Sequence, residues 1–142
     1  MQDYLSLPFK KREEIIAKIQ KTLRKKEDII FAYVFGSFLD SPSFKDIDIG
    51  IYLQNIEKDK VFEREMKIAE ELAKDIYLSA DIIEIKILNF APLSFQNNIF
   101  RKGRLLFSKD KELLSDLIEE SSLEMVTNSH ITYQSLKELV PT

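Results

Sequence analysis

FAYVFGSFLDSPSFKDIDIGIYL, residues 31–53, is the stretch on which the reading of this sequence turns. Phe31 to Phe35 reads as a buried strand, Gly36 and Ser37 as a small-residue turn, and the run opened by Asp46 and Asp48 as a second strand. Side chains two apart in a strand share a face, so Asp46 and Asp48 project together while Ile47, Ile49 and Ile51 project opposite them. Two carboxylates held side by side repel, and no cation on their own strand face relieves them. A divalent hard cation answers that repulsion: Mg²⁺ takes oxygen ligands, keeps several waters and is commonly completed by substrate phosphates. Gly36 lets the backbone approach a phosphate closely, and Ser37, with backbone N–H groups at a following helix start, can donate to its oxygens.

Around this stretch the composition sets bounds. At 142 residues the chain is expected to be one domain spanning residues 1–142, long enough to bury a real core. No uninterrupted apolar run approaches the roughly 20 residues that span a bilayer. The opening MQDYLSLPFKKREE lacks a basic region followed by an apolar stretch, so it does not read as a signal peptide, and a cytoplasmic protein is expected. There is no cysteine, which excludes disulfides and thiolate metal sites. His130 is the single histidine, so a zinc site of several imidazoles is excluded, and no nucleophile elbow accompanies it to suggest a Ser-His-acid triad. A net charge of −3 gives no general attraction to nucleic acid, and none is expected as a partner. Lys10, Lys11, Arg12, Lys21, Arg24, Lys25 and Lys26 read as a solvated helix face with lysines near the C-terminal dipole.

Phe9, Ile16, Ile19 and Leu23 recur at helical spacing and predict a first amphipathic helix over about Pro8 to Lys25. Phe62, Met66, Ala69, Leu72, Ala73 and Ile76 mark one face of a second helix within Ile56 to Leu78. ADIIEIKIL, residues 80–88, alternates as a strand does, with Asp81, Ile83, Ile85 and Ile87 on one face and Ile82, Glu84, Lys86 and Leu88 on the other. Pro92 to Arg101 predicts a short helix, Gly103 a turn and Arg104 to Phe107 a short strand. Ser108 is the expected cap of a C-terminal helical region, about residues 109–140, carrying Leu113, Leu114, Leu117, Ile118 and Leu123 and continued by Ile131, Tyr133, Leu136 and Leu139. The fold class expected from this order is α/β (α+β), with a small mixed sheet flanked by helices.

Gly36-Ser37, a short spacer and Asp46-Ile47-Asp48 opening an apolar strand resemble the nucleotidyltransferase superfamily related to DNA polymerase beta. The small size is similar to its minimal nucleotidyltransferase branch. The segment DIIEIKILNFAPLSFQNNIFRKGRLLFSKDKELLSDL resembles the second half of the antitoxin-type members paired with HEPN ribonuclease toxins, so the resemblance covers roughly Ile30 to Leu117. The spacer Phe38 to Lys45 lacks the arginine common in that family and carries Lys45 as its cation, a point charge rather than a bidentate fork.

The resemblance implies AMP transfer from ATP to a hydroxyl, with Asp46 and Asp48 holding Mg²⁺ and Asp81 as the third carboxylate, sharing a second ion and serving as general base. Glu84 is the second candidate, because alternation puts it on the face opposite Asp81. Gly36, Ser37 and Lys45 are the expected nucleotide-binding residues. The acceptor implied is a tyrosine of a HEPN toxin, in a hetero-oligomer with it or alongside homo-oligomers of this chain. Two alternatives stand beside it: a small-molecule nucleotidyltransferase, and a non-catalytic antitoxin that neutralises its partner by covering it through aromatics such as Tyr4, Phe95, Phe100 and Tyr133. No membrane partner is expected.

Overall fold

The computed structural model describes residues 4–139, and side chains among them as far as Thr127. In chain order the elements are β1 (Leu5–Ser6), α1 (Phe9–Arg24), β2 (Ile29–Phe35), the one-turn α2 (Ser37–Asp40), β3 (Ser43–Phe44), β4 (Ile47–Leu53), α3 (Val61–Ile76), β5 (Ile83–Ile87), α4 (Leu93–Lys102), β6 (Arg104–Ser108) and α5 (Lys111–Leu139). Four strands form one sheet in the order β5-β4-β2-β6, and β1 pairs with β3 in a separate two-stranded ribbon. β2 runs antiparallel to both β4 and β6, whereas β4 and β5 are parallel. The sheet is therefore mixed and flanked by helices, as the alternation of patterns predicts.

Each face of the sheet is buried by a different helix layer. Ile47, Ile49 and Ile51 of β4 and Ile83, Ile85 and Ile87 of β5 join Ile15, Ile16, Ile19 and Leu23 of α1 and Ile68, Leu72 and Ile76 of α3 in one core. Phe31, Tyr33 and Leu88 on the opposite face join Ile99 of α4 and Leu114 of α5 in a second. The period of two in the strands assigns residues to faces, and helices with an apolar stripe of period 3.6 cover both. No described helix is long and apolar enough to cross a membrane.

Several local expectations change in the structure. β5 begins at Ile83, and residues 80–82 form a 3₁₀ turn in which the Ser79 hydroxyl accepts the Asp81 N–H, so Asp81 does not open the strand. Phe62 and Met66 are exposed, because the inward face of the first turns of α3 instead carries Arg64, paired with Asp28, and Glu65, which accepts the Ile87 N–H. Ser108 ends β6, and the cap of α5 is Asp110, whose Oδ1 accepts the Leu113 N–H at 3.0 Å. The side chains of His130, Ile131, Tyr133, Leu136 and Leu139 lie outside the described residues.

Arg12 departs furthest from expectation. It is 8% exposed rather than solvated, and its guanidinium donates to the carbonyls of Leu7, Phe38, Ser41 and Pro42. Helical spacing accounts for its direction: 12, 15, 16, 19 and 23 form one inward stripe, and Arg12 stands on it.

Candidate active site

The site is built where β2 ends and β4 begins. The antiparallel register sets Phe35 opposite Asp48, so the turn at Gly36 falls beside the Asp48 carboxylate. Gly36 has φ 79° and ψ −162°, a region essentially reserved for glycine. A Cβ there would collide with Asp48 Oδ2 and lie 3.3 Å from Cγ. The Gly36 carbonyl then accepts the N–H groups of Leu39 (3.0 Å) and Asp40 (3.3 Å), turning the chain into α2.

The parallel register of β4 and β5 sets another acid beside Asp48. Ile47 is paired with Ile83 and Asp48 with Glu84, so Glu84 stands on the face of Asp48. The Glu84 carboxylate acts on Asp48 beside it, a like-charge pairing that a proton or a cation between them would relieve. Burial first, then the charge and contact of Glu84 and the charge of Asp46, pushes Asp48 up from 3.8 to about 6, while Lys86 opposes the shift. Lys86 Nζ lies 3.2 Å from Glu84 Oε1. Asp81 lies outside β5 and is not among the charges acting on Asp48.

Glu84 and Asp46 are thus the acids whose charges act on Asp48, and Asp81 is not among them. Alternation within β5 alone cannot say which of its faces adjoins Asp48. The signal that does is the shared apolar face: Ile83, Ile85 and Ile87 must join Ile47, Ile49 and Ile51 in one core, which leaves Glu84 beside Asp48. Lys86, on the same face of β5 as Glu84, is the cation whose charge acts on Asp48. Lys45 instead places its Nζ 5.0 Å from the Tyr4 ring centre, a cation–π contact.

The donor set suits a hard divalent cation, since three carboxylates with one lysine leave negative charge uncompensated. Among the described residues, no three acidic or imidazole side chains are gathered into a ready ligand cage. A cavity of about 500 Å³, lined in part by Asp28, Leu53, Lys60, Arg64 and Lys67, lies at the other end of β4. Asp28 in its lining is already paired with Arg64, and another cavity, of about 550 Å³ and lined in part by Arg12, Asp40, Ser41 and Pro42, lies beside the connection that leads to Asp46.

Of the aromatics considered as a covering surface, Phe95 packs edge-on against Phe35, and Phe100 against Phe31 and Tyr33. Tyr4 remains exposed, and Tyr133 lies outside the described side chains.

A family model described as Polymerase beta, Nucleotidyltransferase matches residues 17–112. No curated protein sequence matches the chain. Among solved structures, the fold is similar to a chain of the complex between a tri-AMPylated Shewanella oneidensis HEPN toxin and an MNT antitoxin, with TM-score 0.60, 18% identity and coverage of 89% of this chain and 96% of that one. A chain of the MntA-HepT toxin-antitoxin structure gives TM-score 0.59 at 17% identity over 89% and 96% of the two chains. One from a toxin-antitoxin structure with AMP-PNP gives 0.61 at 18% identity over 87% and 95%.

Proposed function

The chain belongs to the polymerase-beta nucleotidyltransferase family, and from that premise we propose that it is a Mg²⁺-dependent adenylyltransferase that moves AMP from ATP to a tyrosine hydroxyl of a HEPN toxin, acting as its antitoxin. The observation that carries the reading is the position of the Asp48 carboxylate, between the Gly36 turn on one side and Glu84 on the other. The similarity in fold to chains from a tri-AMPylated toxin complex and an AMP-PNP complex supports the choice of nucleotide and acceptor.

In this reading Asp46 and Asp48 hold the metal, and Gly36 and Ser37 present backbone and hydroxyl donors to the phosphates. Bound Mg²⁺ supplies charge neutralisation for the triphosphate. The acceptor oxygen attacks the α-phosphorus, the bond to the bridging oxygen breaks, and pyrophosphate leaves. Glu84 takes the proton released by the hydroxyl, the part that the family resemblance implied for Asp81. Lys86, which already opposes the charge of these acids, balances the carboxylates that face no metal. The domain that performs this is the single unit 1–142, located in the cytoplasm.

Intact-mass spectrometry of the protein with its candidate toxin, ATP and Mg²⁺ tests the proposal. The toxin gains the mass of one or more AMP units with the wild-type protein and none with Asp46→Asn, Asp48→Asn. Glu84→Gln slows the gain by about 10²- to 10⁴-fold, the usual worth of a positioned general base, and Asp81→Asn leaves it near wild type. A stable complex that neutralises the toxin without any mass gain would replace the enzyme with a covering module.

A further inference from the structure

The residues between Ser37 and Asp46 join the two halves of the candidate site, yet they contain little structure of their own. α2 is a single turn and β3 two residues long. One helical turn does not sustain itself in water, because nucleation fixes several dihedral angles for one hydrogen bond. This connection is held from outside, by α1.

Arg12 reaches across from α1 and occupies the inner side of the connection. Its Nε donates to the Leu7 carbonyl (3.1 Å), Nη1 to those of Phe38 (2.9 Å) and Ser41, and Nη2 to that of Pro42. The guanidinium carbon lies 5.7 Å from the Phe38 ring centre and 5.0 Å from that of Phe44, and the two rings meet edge to face at 4.8 Å. Among the described residues no carboxylate forms an ion pair with it. A buried cation whose recorded acceptors are all main-chain carbonyls is serving the backbone, because three of those carbonyls belong to the connection and would otherwise be left without this donor. Only arginine does this: its planar fork spreads donors over several acceptors, whereas a lysine ammonium gathers three at one point. The ribbon adds to the same hold, with β1 paired to β3 and the Ser6 hydroxyl donating to the Pro42 carbonyl at 3.4 Å.

The geometry points to Arg12 as the positioning residue of this site: it fixes residues 38–42, and thereby the Gly36-Ser37 turn relative to Asp46 and Asp48, before a nucleotide arrives. The inference rests on the proposed nucleotidyl transfer for its kinetic consequence and on the fold alone for its structural one. With the connection ordered in advance, nucleotide binding does not bear the entropy of ordering it. Loosening it raises KM for ATP and leaves kcat largely intact, since saturating nucleotide restores the order.

The test is Arg12→Lys, which keeps the charge and loses the fork. Amide hydrogen exchange in the free variant is expected to quicken roughly tenfold or more over residues 38–44 while the amides of β2 and β4 hold their wild-type rates. KM for ATP is expected to rise roughly tenfold with kcat changed by less than about threefold, the scale of one lost hydrogen-bonding interaction with a charged group. Exchange that quickens equally through β2 and β4, or a connection that stays protected, overturns the inference and makes Arg12 a residue of general stability. Should Arg12→Lys fail to fold, Phe44→Leu loosens the same connection with the guanidinium kept, and must give the same local exchange pattern at smaller amplitude. A wild-type protein that transfers no AMP overturns the function reading instead, and the exchange pattern alone then decides the role of Arg12.

Discussion

The two ends of β4 treat their acids in opposite ways. At the end near Leu53, acids are matched to cations: Asp28 to Arg64 at 3.0 Å, and Glu71 to Lys26, which holds the Glu71 carboxyl below its usual range. At the Asp48 end acids face one another, and Asp48 is pushed up to about 6. Both ends flank the same apolar core, so the requirements of folding do not explain the difference. Matched charge needs nothing further, whereas unmatched charge leaves room for a cation and a phosphate. The end where acids face one another is therefore the candidate for chemistry.

The largest effect is expected from closing the contact on which the Asp48 end depends. Gly36→Ala places a methyl group against Asp48 Oδ2 and forces φ 79°, ψ −162° on a residue with a Cβ. Transfer of AMP should fall below detection, and thermal unfolding should report a loss of about 1–3 kcal/mol, the usual cost of such a backbone conformation. A variant of full activity would show that the approach of the turn to the acid is incidental, and the contrast between the two ends would lose its meaning.

That contact was legible from Gly36-Ser37 and Asp46-Ile47-Asp48, because two strands and a tight turn follow from local pattern alone. The acid that β5 sets beside Asp48 was not read from the same kind of pattern. Asp81 and Glu84 differ by three positions, and only the pairing of β5 with β4 decides between them. Register between parallel strands joined by a long helical crossover is not encoded near either strand, although the matching isoleucine faces do constrain it. Arg12 was hidden for a different reason. In a run of Lys10, Lys11 and Arg12 its charge suggests solvent, while its place on the stripe of Ile15, Ile16 and Ile19 directs it inward. Three of its four acceptors, the carbonyls of Phe38, Ser41 and Pro42, lie about 30 residues away in the chain, beyond the reach of any local motif.

A medium effect, opposite in sign to most substitutions, is expected from Asp48→Asn in the metal-free protein. A carboxyl whose folded value is raised above 3.8 binds its proton more tightly when folded, so the contribution of Asp48 to wild-type stability rises as pH falls from 7 through 6 and levels off near 4. Asparagine removes the ionised group that opposes folding at neutral pH. Each unit of such displacement corresponds to about 1.4 kcal/mol, and solvent screening of a half-buried group brings the expected gain to about 1–2 kcal/mol. Denaturant unfolding at pH 5 and pH 7.5 should show the variant more stable at the higher pH and nearly independent of pH between them. Equal pH dependence in the two proteins would mean that the acids of this end are not in conflict.

The smallest effect belongs to the matched end, and its sign is what matters. Asp28 accepts from Arg64 Nη2 through both oxygens, at 3.1 and 3.0 Å, in a partly exposed pair. Asp28→Asn should destabilise the protein by less than about 1 kcal/mol at low ionic strength, and the loss should shrink by 1 M salt, where screening acts over about 3 Å. Arg64 Nε has no partner and is buried, so removal of the carboxylate paired with this guanidinium is felt even though the pair itself is worth little. Measured beside Asp48→Asn in metal-free buffer at pH 7.5, the same acid-to-amide exchange then lowers stability at one end of β4 and raises it at the other. Two losses would make both ends structural; opposite signs separate an ion pair that holds the fold from carboxylates that the fold holds in readiness.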